Sequence, residues 1–259
     1  MASSHLDQAA DTQMATAPLA TNQSKRQAII IGATGLVGKY LLNELIAIYD
    51  TVIVIARSCP AQMSVNMECY ELSDFGQLAH TMQNLKLGRH TDAFTCLGST
   101  KKQAGSKSGF RQIDFEYNLA FAKACHEQGV GRFFLLSALG ADAGSRFFYN
   151  QVKGELEEAI IDLGFKQLSI FQPSLLLGKH KGRPAERLAQ TAFKLMSPIV
   201  PKSLPARPIS ARRVAGAMVM QAEKLHARRN YFQYDKDDEH KVSIIRNQDM
   251  LKMTDTHKR

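Results

Sequence analysis

No stretch of this 259-residue chain approaches the roughly 18 consecutive apolar residues that a bilayer-crossing helix needs. Its N-terminus does not combine a basic start with an apolar block, so no secretory signal is expected. Both absences point to an intracellular protein, with the cytoplasm as its expected location. Cysteine is scarce: Cys59, Cys69, Cys96 and Cys125 are widely spaced and form no CxxC pair, so neither a zinc site nor a disulfide framework is expected. Cys96 sits in an apolar run and reads as a small buried hydrophobe. The eight histidines contain no HxxxH or HxH set; His80, His90 and His126 read as surface or partly packed residues, and no metal is expected. Acidic residues are outnumbered and the formal charge is +9, but Lys and Arg are scattered, with only short clusters such as Lys101-Lys102, Arg212-Arg213 and Arg228-Arg229. With no long basic tract and no DNA-reading motif, nucleic acid is not an expected partner.

What is present is an apolar fraction of 44%, ordinary for a globular protein, and enough chain for one substantial core with a small appended lobe. Residues 1–25, rich in Ala, Ser, Thr and Gln, read as a disordered leader. After it, strands and helices alternate. Strands are expected at Ala28–Ile31, Thr51–Ala56, Val65–Tyr70, Ala93–Leu97, Arg132–Ser137 and Leu168–Phe171. Helices are expected at Leu36–Ile48, Phe75–Met82, Phe115–Gln128 and Phe148–Leu163. Thr51–Ala56 is almost continuously apolar, as a parallel strand covered on both faces should be. The fold class is therefore α/β, a doubly wound parallel sheet built from residues 26–177. Residues 178–250 read as a small C-terminal substrate lobe completing the same domain: a basic loop Gly178–Arg183, a helix Ala185–Leu195, a stretch broken by Pro198, Pro201, Pro205 and Pro208, and a helix Val214–Lys224. Residues 251–259 read as a frayed polar tail. A homodimer is open, with Phe115–Gln128 or Phe148–Leu163 as a face.

The first strand runs directly into Gly32-x-x-Gly35-x-x-Gly38 and then a helix. A strand, a glycine turn and a helix N-terminus form the arrangement that receives a dinucleotide pyrophosphate. Gly32 permits the sharp turn, Gly35 lets the backbone approach the phosphates, and Gly38 lets the helix pack tightly on the strand. The free N–H groups and positive dipole end of the first helical turn face the phosphate charge. The turn residues Thr34, Leu36 and Val37 are expected beside the cofactor with the three glycines.

A second set follows. The fifth strand ends at Ser137, and twelve positions later comes Tyr149-x-x-x-Lys153, a pair that shares one helical face. An ammonium beside a phenol favours the phenolate, so Lys153 is expected to lower the Tyr149 pKa and make it a general acid/base. Ligands of open parallel sheets bind at the C-terminal strand ends, where Leu97, Gly98, Ser99, Ser137, Pro173 and Ser174 would gather with the glycine turn.

Taken in order, Gly32-x-x-Gly35-x-x-Gly38, Ser137 and Tyr149-x-x-x-Lys153 resemble the short-chain dehydrogenase/reductase superfamily. Cys96-Leu-Gly-Ser-Thr100, Phe133–Asp142, Phe148–Glu155 and Phe171–Gly178 resemble its atypical branch that includes the Tat-interacting oxidoreductase-like proteins. The resemblance covers roughly residues 27–225. It implies a Rossmann fold that binds NADP(H), with Tyr149 as proton donor or acceptor, Lys153 on the nicotinamide ribose and Ser137 orienting the carbonyl or alcohol. The most familiar branch adds an asparagine from the preceding helix to a proton relay. Here Asp114 stands near that position, and it is given no role.

An NAD site usually ends its second strand in Asp or Glu, which binds the ribose 2′-hydroxyl. This strand ends Ile55-Ala-Arg57-Ser58, without a carboxylate, and Arg57 is suited to pair with a 2′-phosphate. NADP(H) is therefore expected over NAD(H), with Glu71 and Leu72 bordering the adenine. The expected function is an NADP(H)-dependent oxidoreductase acting on a small carbonyl or alcohol. A dinucleotide-sensing regulatory protein with little catalysis is the alternative. A sugar-nucleotide epimerase is a third reading, disfavoured by the short stretch left after the sixth strand.

Overall fold

A computed structural model describes residues 25–177, 207–231 and 240–255. The expected leader up to residue 24, the Gly178–Arg183 loop, the Ala185–Leu195 helix and Pro198, Pro201 and Pro205 lie outside the described residues.

Seven parallel strands form one sheet in the order β3-β2-β1-β4-β5-β6-β9. They are β1 (Gln27–Ile31), β2 (Thr51–Ala56), β3 (Met67–Glu71), β4 (Thr91–Thr95), β5 (Arg132–Leu136), β6 (Gln167–Gln172) and β9 (Lys241–Arg246). A separate small pair joins β7 (Leu176–Leu177) to β8 (Ile209–Ser210). The order reverses at β1, whose backbone pairs with Thr51–Ile55 on one side and Thr91–Thr95 on the other. That reversal opens a crevice at the C-terminal strand ends.

The strands alternate between two apolar clusters. Ala28, Ile30, Val52, Val54, Phe94 and Phe134 face one, while Ile29, Ile31, Ile53, Ile55, Phe133 and Leu135 face the other. Because successive side chains of a strand point to opposite faces, a strand that is apolar at every position needs helices on both sides. On the first face lie α1 (Gly38–Ile48), α7 (Ala211–Tyr231) and α8 (Asn247–Asp255), carrying Leu41, Leu45, Val214, Met218 and Met250. On the second lie α2 (Leu78–Gln83), α5 (Tyr117–Glu127) and α6 (Phe148–Ile161), carrying Leu78, Phe121, Leu156 and Ile160. Between β4 and α5 the chain makes two short helices, α3 (Lys101–Ala104) and α4 (Lys107–Arg111), and a π-helical turn, Gln112–Glu116. No helix among the described residues is long and apolar enough to cross a membrane.

Three expectations need correction. The tail is not frayed from residue 251: α8 runs through Asp255, with Met250 fully buried against the first face. Lys241–Arg246 supply a seventh strand that was not foreseen, so the C-terminal part extends the main sheet. And Cys59 forms a disulfide with Cys69. Ala56 stands in register with Glu71, so the loop leaving β2 passes beside β3 and the two Cα atoms come within 6.1 Å. That proximity depends on sheet order and leaves no trace in cysteine spacing.

Candidate functional site

The glycine turn is built by backbone contact. Gly32 has φ +75°, and a Cβ there would lie 2.4 Å from the backbone of Cys96 and Leu97 at the end of β4. A Cβ on Gly38 would sit 2.1 Å from the Gly32 carbonyl oxygen, so α1 seats on the turn only because that atom is missing. At Gly35 a Cβ would lie 3.1 Å from the Gly32 oxygen and 3.9 Å from the Cys96 oxygen, a far looser fit than at Gly38. No side chain caps α1 and its first turn holds no acidic residue. The Lys39 and Tyr40 N–H groups donate to the Gly35 and Val37 carbonyls, and a helix start with no side-chain cap and no competing carboxylate is suited to an anion.

Beside the turn, Leu97, Gly98 and Ser99 leave β4. Asn118 on α5 pins this exit: its amide donates to the carbonyls of Leu97 (3.3 Å) and Ile113 (3.0 Å), and its oxygen accepts from Thr95. The π turn brings Asp114 inward, where it is 1% exposed. Its carboxylate accepts from the Ser99 N–H (2.8 Å) and Ser99 hydroxyl (2.6 Å) and pairs with the Lys153 ammonium at 2.9 Å. Gly98 lies against this pair, since a Cβ there would come within 3.1 Å of the Asp114 carboxylate. Asp114, which sequence reasoning left without a role, is thus the partner of Lys153.

Helix α6 carries Tyr149, Lys153 and Glu157 at successive four-residue steps, so all three share a face. The Tyr149 ring packs on Phe110, with centroids 5.7 Å apart. Its pKa is raised rather than lowered. Burial is the largest cause, Lys153 pulls it down, and Asp114 pushes it up. The expected lowering is corrected accordingly: the ammonium is present, but Asp114 spends part of its field and the ring is desolvated. Lys153 is pushed down by burial, yet Asp114 and Tyr149 outweigh this and its pKa ends raised.

Ser137, just past the end of β5, is buried and donates its hydroxyl to Glu157. The Gln172 side chain, at the end of β6, donates to both oxygens of the same carboxylate, at 3.1 and 3.0 Å. The Glu157 pKa is raised, chiefly by burial, against the pull of Ser137, Gln172 and Lys153. Neither Glu157 nor Gln172 was foreseen. The signal was available in the Tyr149-Lys153-Glu157 spacing, one more turn of the same face.

The remaining expected residues divide. Pro173 and Ser174 are buried at the end of β6; the Ser174 N–H donates to Asn247 (3.0 Å) and its hydroxyl to the Arg207 carbonyl (2.6 Å). Arg57 and Glu71 lie exposed at the ends of β2 and β3, beside the disulfide, where Glu71 accepts the Cys59 N–H at 3.1 Å. Leu72 is buried, and its N–H donates to the Ala56 carbonyl at 2.8 Å. Thr34 is exposed at the turn, and Leu36 half-buried, while Val37 packs in the core. Among the described residues no cluster of three or more potential metal ligands occurs.

The model of the NAD dependent epimerase/dehydratase family matches residues 28–146. The protein HTATIP2 of Rattus norvegicus is 36% identical over 176 residues, covering 65% of this chain and 70% of HTATIP2. The chain belongs to the atypical short-chain dehydrogenase/reductase family, a group of NAD(P)-binding Rossmann proteins. Another relative of this short-chain dehydrogenase/reductase is the mitochondrial protein FMP52 of Debaryomyces hansenii, 33% identical over 197 residues, 74% of this chain and 85% of the relative. Several further fungal relatives are likewise named mitochondrial. That finding overturns the expected cytoplasmic location. In fold, the chain is similar to the UDP-Glc/GlcNAc 4-epimerase of Campylobacter jejuni, with a TM-score of 0.61 at 11% identity over 89% of this chain and 83% of the epimerase. It is similar also to the Bordetella bronchiseptica enzyme WbmH in complex with NAD+, with a TM-score of 0.57 at 13% identity over 85% of each chain.

Proposed function

We propose that this protein is an NADP(H)-dependent oxidoreductase acting on a small carbonyl or alcohol. The observation that carries this reading is one crevice edge that holds the uncapped start of α1, the Gly98–Ser99 exit and a Tyr149–Lys153 pair whose lysine is fixed by a buried carboxylate. The turn fits a dinucleotide: Gly35 leaves room for phosphate, and no carboxylate of the first helical turn opposes it. When bound, a nicotinamide dinucleotide supplies or accepts a hydride at the substrate carbon. Tyr149 delivers a proton to the carbonyl oxygen in reduction and takes one from the alcohol in oxidation. Lys153, fixed by Asp114, holds the ribose hydroxyls near the phenol and limits how far burial raises the phenol's pKa. Ser137 binds the substrate oxygen. Arg57, exposed just past β2, would pair with a 2′-phosphate, and the Cys59–Cys69 link holds the loop that follows it against β3.

A second reading, a dinucleotide sensor with little chemistry, is favoured by the Lys153–Asp114 pair, which leaves the ammonium already neutralised before any ligand arrives. One experiment separates the two. NADPH and NADH affinities are measured by calorimetry, and NADPH oxidation is followed over a panel of aldehydes and ketones for the wild type and Tyr149→Phe. The oxidoreductase reading expects turnover that falls about 100- to 10,000-fold in Tyr149→Phe, the usual worth of a general acid, with NADPH affinity little changed. Tight binding without turnover favours the sensor, and no binding of either dinucleotide sinks both. Arg57→Ala is expected to weaken NADPH by tenfold or more, matching the roughly 1.5–3 kcal/mol of a charge-assisted hydrogen bond, and to leave NADH unchanged. Equal loss for both dinucleotides overturns the NADP(H) preference.

A further inference from the structure

A hydroxyl has one hydrogen to give. In this molecule the hydrogen of Ser137, the residue assigned to the substrate oxygen, is directed at the Glu157 carboxylate. Toward a substrate, Ser137 then offers only lone pairs. It can accept from an alcohol, but it cannot donate to a carbonyl oxygen. We propose that Glu157 is a positioning residue that sets which way the Ser137 hydroxyl points, and so whether Ser137 has a hydrogen to give the substrate oxygen. This rests on the oxidoreductase reading above and extends it. With Glu157 ionised, Ser137 donates to it and receives the alcohol's hydrogen bond. With Glu157 protonated, the carboxyl donates to the Ser137 oxygen, and Ser137 turns its own hydrogen toward a carbonyl oxygen. One proton gained by Glu157 changes Ser137 from acceptor to donor. No bond to carbon is made or broken by the pair.

The surroundings suit a carboxyl that takes both forms. Glu157 is 7% exposed, and burial raises its pKa above the usual carboxylate range. Opposing this are the hydrogen bonds of Ser137 from β5 and Gln172 from β6, and the charge of Lys153 one turn earlier on α6. The Lys153 charge is itself paired with Asp114 of the π turn, 2.9 Å away, and Tyr149 stands one further turn along the same face. Glu157 is thus not held permanently ionised by a strong cation of its own. The Tyr149 phenol is also raised by burial, and Glu157→Gln, which removes only the carboxyl, tells the two apart.

The test uses the full chain with 4-nitrobenzaldehyde and NADPH in one direction and 4-nitrobenzyl alcohol and NADP+ in the other. In the wild type, kcat/KM for the aldehyde is expected to fall, and that for the alcohol to rise, through one shared lower ionisation, with a separate upper limb from Tyr149. Glu157→Gln, nearly the same shape, is expected to lose the lower limb in both directions and keep the upper one. In a Ser137→Ala background, Glu157→Gln is expected to change nothing further, because Glu157 acts through Ser137. A lower limb that survives in Glu157→Gln, or the same effect with and without Ser137, overturns the proposal. If the wild type turns over neither probe, the oxidoreductase reading is what fails. The proton itself is read without turnover, from the carboxyl infrared band lost in Glu157→Gln. This band should titrate above the ordinary carboxylate range and move higher still in Ser137→Ala, which removes a bond that favours the ionised form. Titration in the ordinary range, or indifference to Ser137→Ala, overturns the proposal.

Discussion

The contacts of Gly38 show how little freedom single residues of the dinucleotide turn possess. A methyl group there would meet the Gly32 carbonyl at 2.1 Å, backbone against backbone, with no flexible side chain to give way. Gly38→Ala must therefore push α1 away from the turn. We expect a loss of about 1–3 kcal/mol of stability, the usual range for overpacking, together with loss of NADPH binding. Gly35→Ala meets the Gly32 oxygen at 3.1 Å and the Cys96 oxygen at 3.9 Å, so the turn need give by only a few tenths of an ångström. It should lose less stability than Gly38→Ala in urea denaturation while weakening NADPH by calorimetry, if the phosphates approach this turn as proposed. Equal stability losses for the two variants would contradict this division of roles. The three glycines were legible in the sequence because their requirement is local: a strand, a turn and a helix start within a dozen residues. Asp114, Glu157 and Gln172 were not legible as a site. Each is defined by a partner on another element: Lys153 across from the π turn for Asp114, and Ser137 and Gln172 from two strand ends for Glu157.

Element by element, the alternation of strand and helix could be read because each inner strand is apolar on both faces, a pattern that only a covered parallel strand requires. Thr51–Ala56 was found at its true limits, and β9 was missed for the complementary reason. It is an edge strand whose Lys241, Val242, Ile244 and Arg246 are exposed, so its sequence lacks the continuous apolar run that marked the others. The inner strands also contain one feature that periodicity does not predict, the ion pair of Asp92 on β4 with Arg132 on β5. It lies at the N-terminal ends of these strands, opposite the crevice, with side chains 0% and 7% exposed. Burial raises the Asp92 pKa, while Arg132 and Tyr49 oppose that shift. The pair therefore holds strands together and is not placed to touch a ligand. Asp92→Ala would leave the Arg132 guanidinium buried without its counter-charge, a loss expected at about 3–5 kcal/mol. Asp92→Leu with Arg132→Met, which removes both charges, should recover much of it. Denaturant midpoints of the two variants decide this. If the double variant is no more stable than the single one, the cost lies in packing or in the buried Tyr49 hydroxyl, which also donates to Asp92, and not in the uncompensated charge.

At the scale of the whole molecule, the C-terminal residues close the sheet and also reach the site. The Asn247 side chain, 4% exposed at the start of α8, accepts from the Ser174 N–H at 3.0 Å and donates to the Arg207 carbonyl at 2.9 Å. Ser174 in turn donates to the same Arg207 carbonyl. This triangle ties the loop after β6, the approach to β8 and the last helix to one another. The loop after β6 follows Gln172, which binds Glu157, so the C-terminal segment is two residues of chain away from the Ser137 network. A tail that merely frayed would have no such effect. Asn247→Ala leaves the buried Ser174 N–H without its acceptor, an expected cost of about 1–3 kcal/mol, and it frees the loop at the crevice. We therefore expect a lower unfolding midpoint and, if turnover is found, a raised KM for the carbonyl substrate with kcat changed less, since Tyr149 and Lys153 are held by α6 and the π turn instead. Asn247→Asp keeps the acceptor and should restore the Ser174 bond but not the donation to Arg207. Recovery of KM in Asn247→Asp would identify the Ser174 bond as the working contact. Loss of stability in both variants with KM unmoved would confine the triangle to folding.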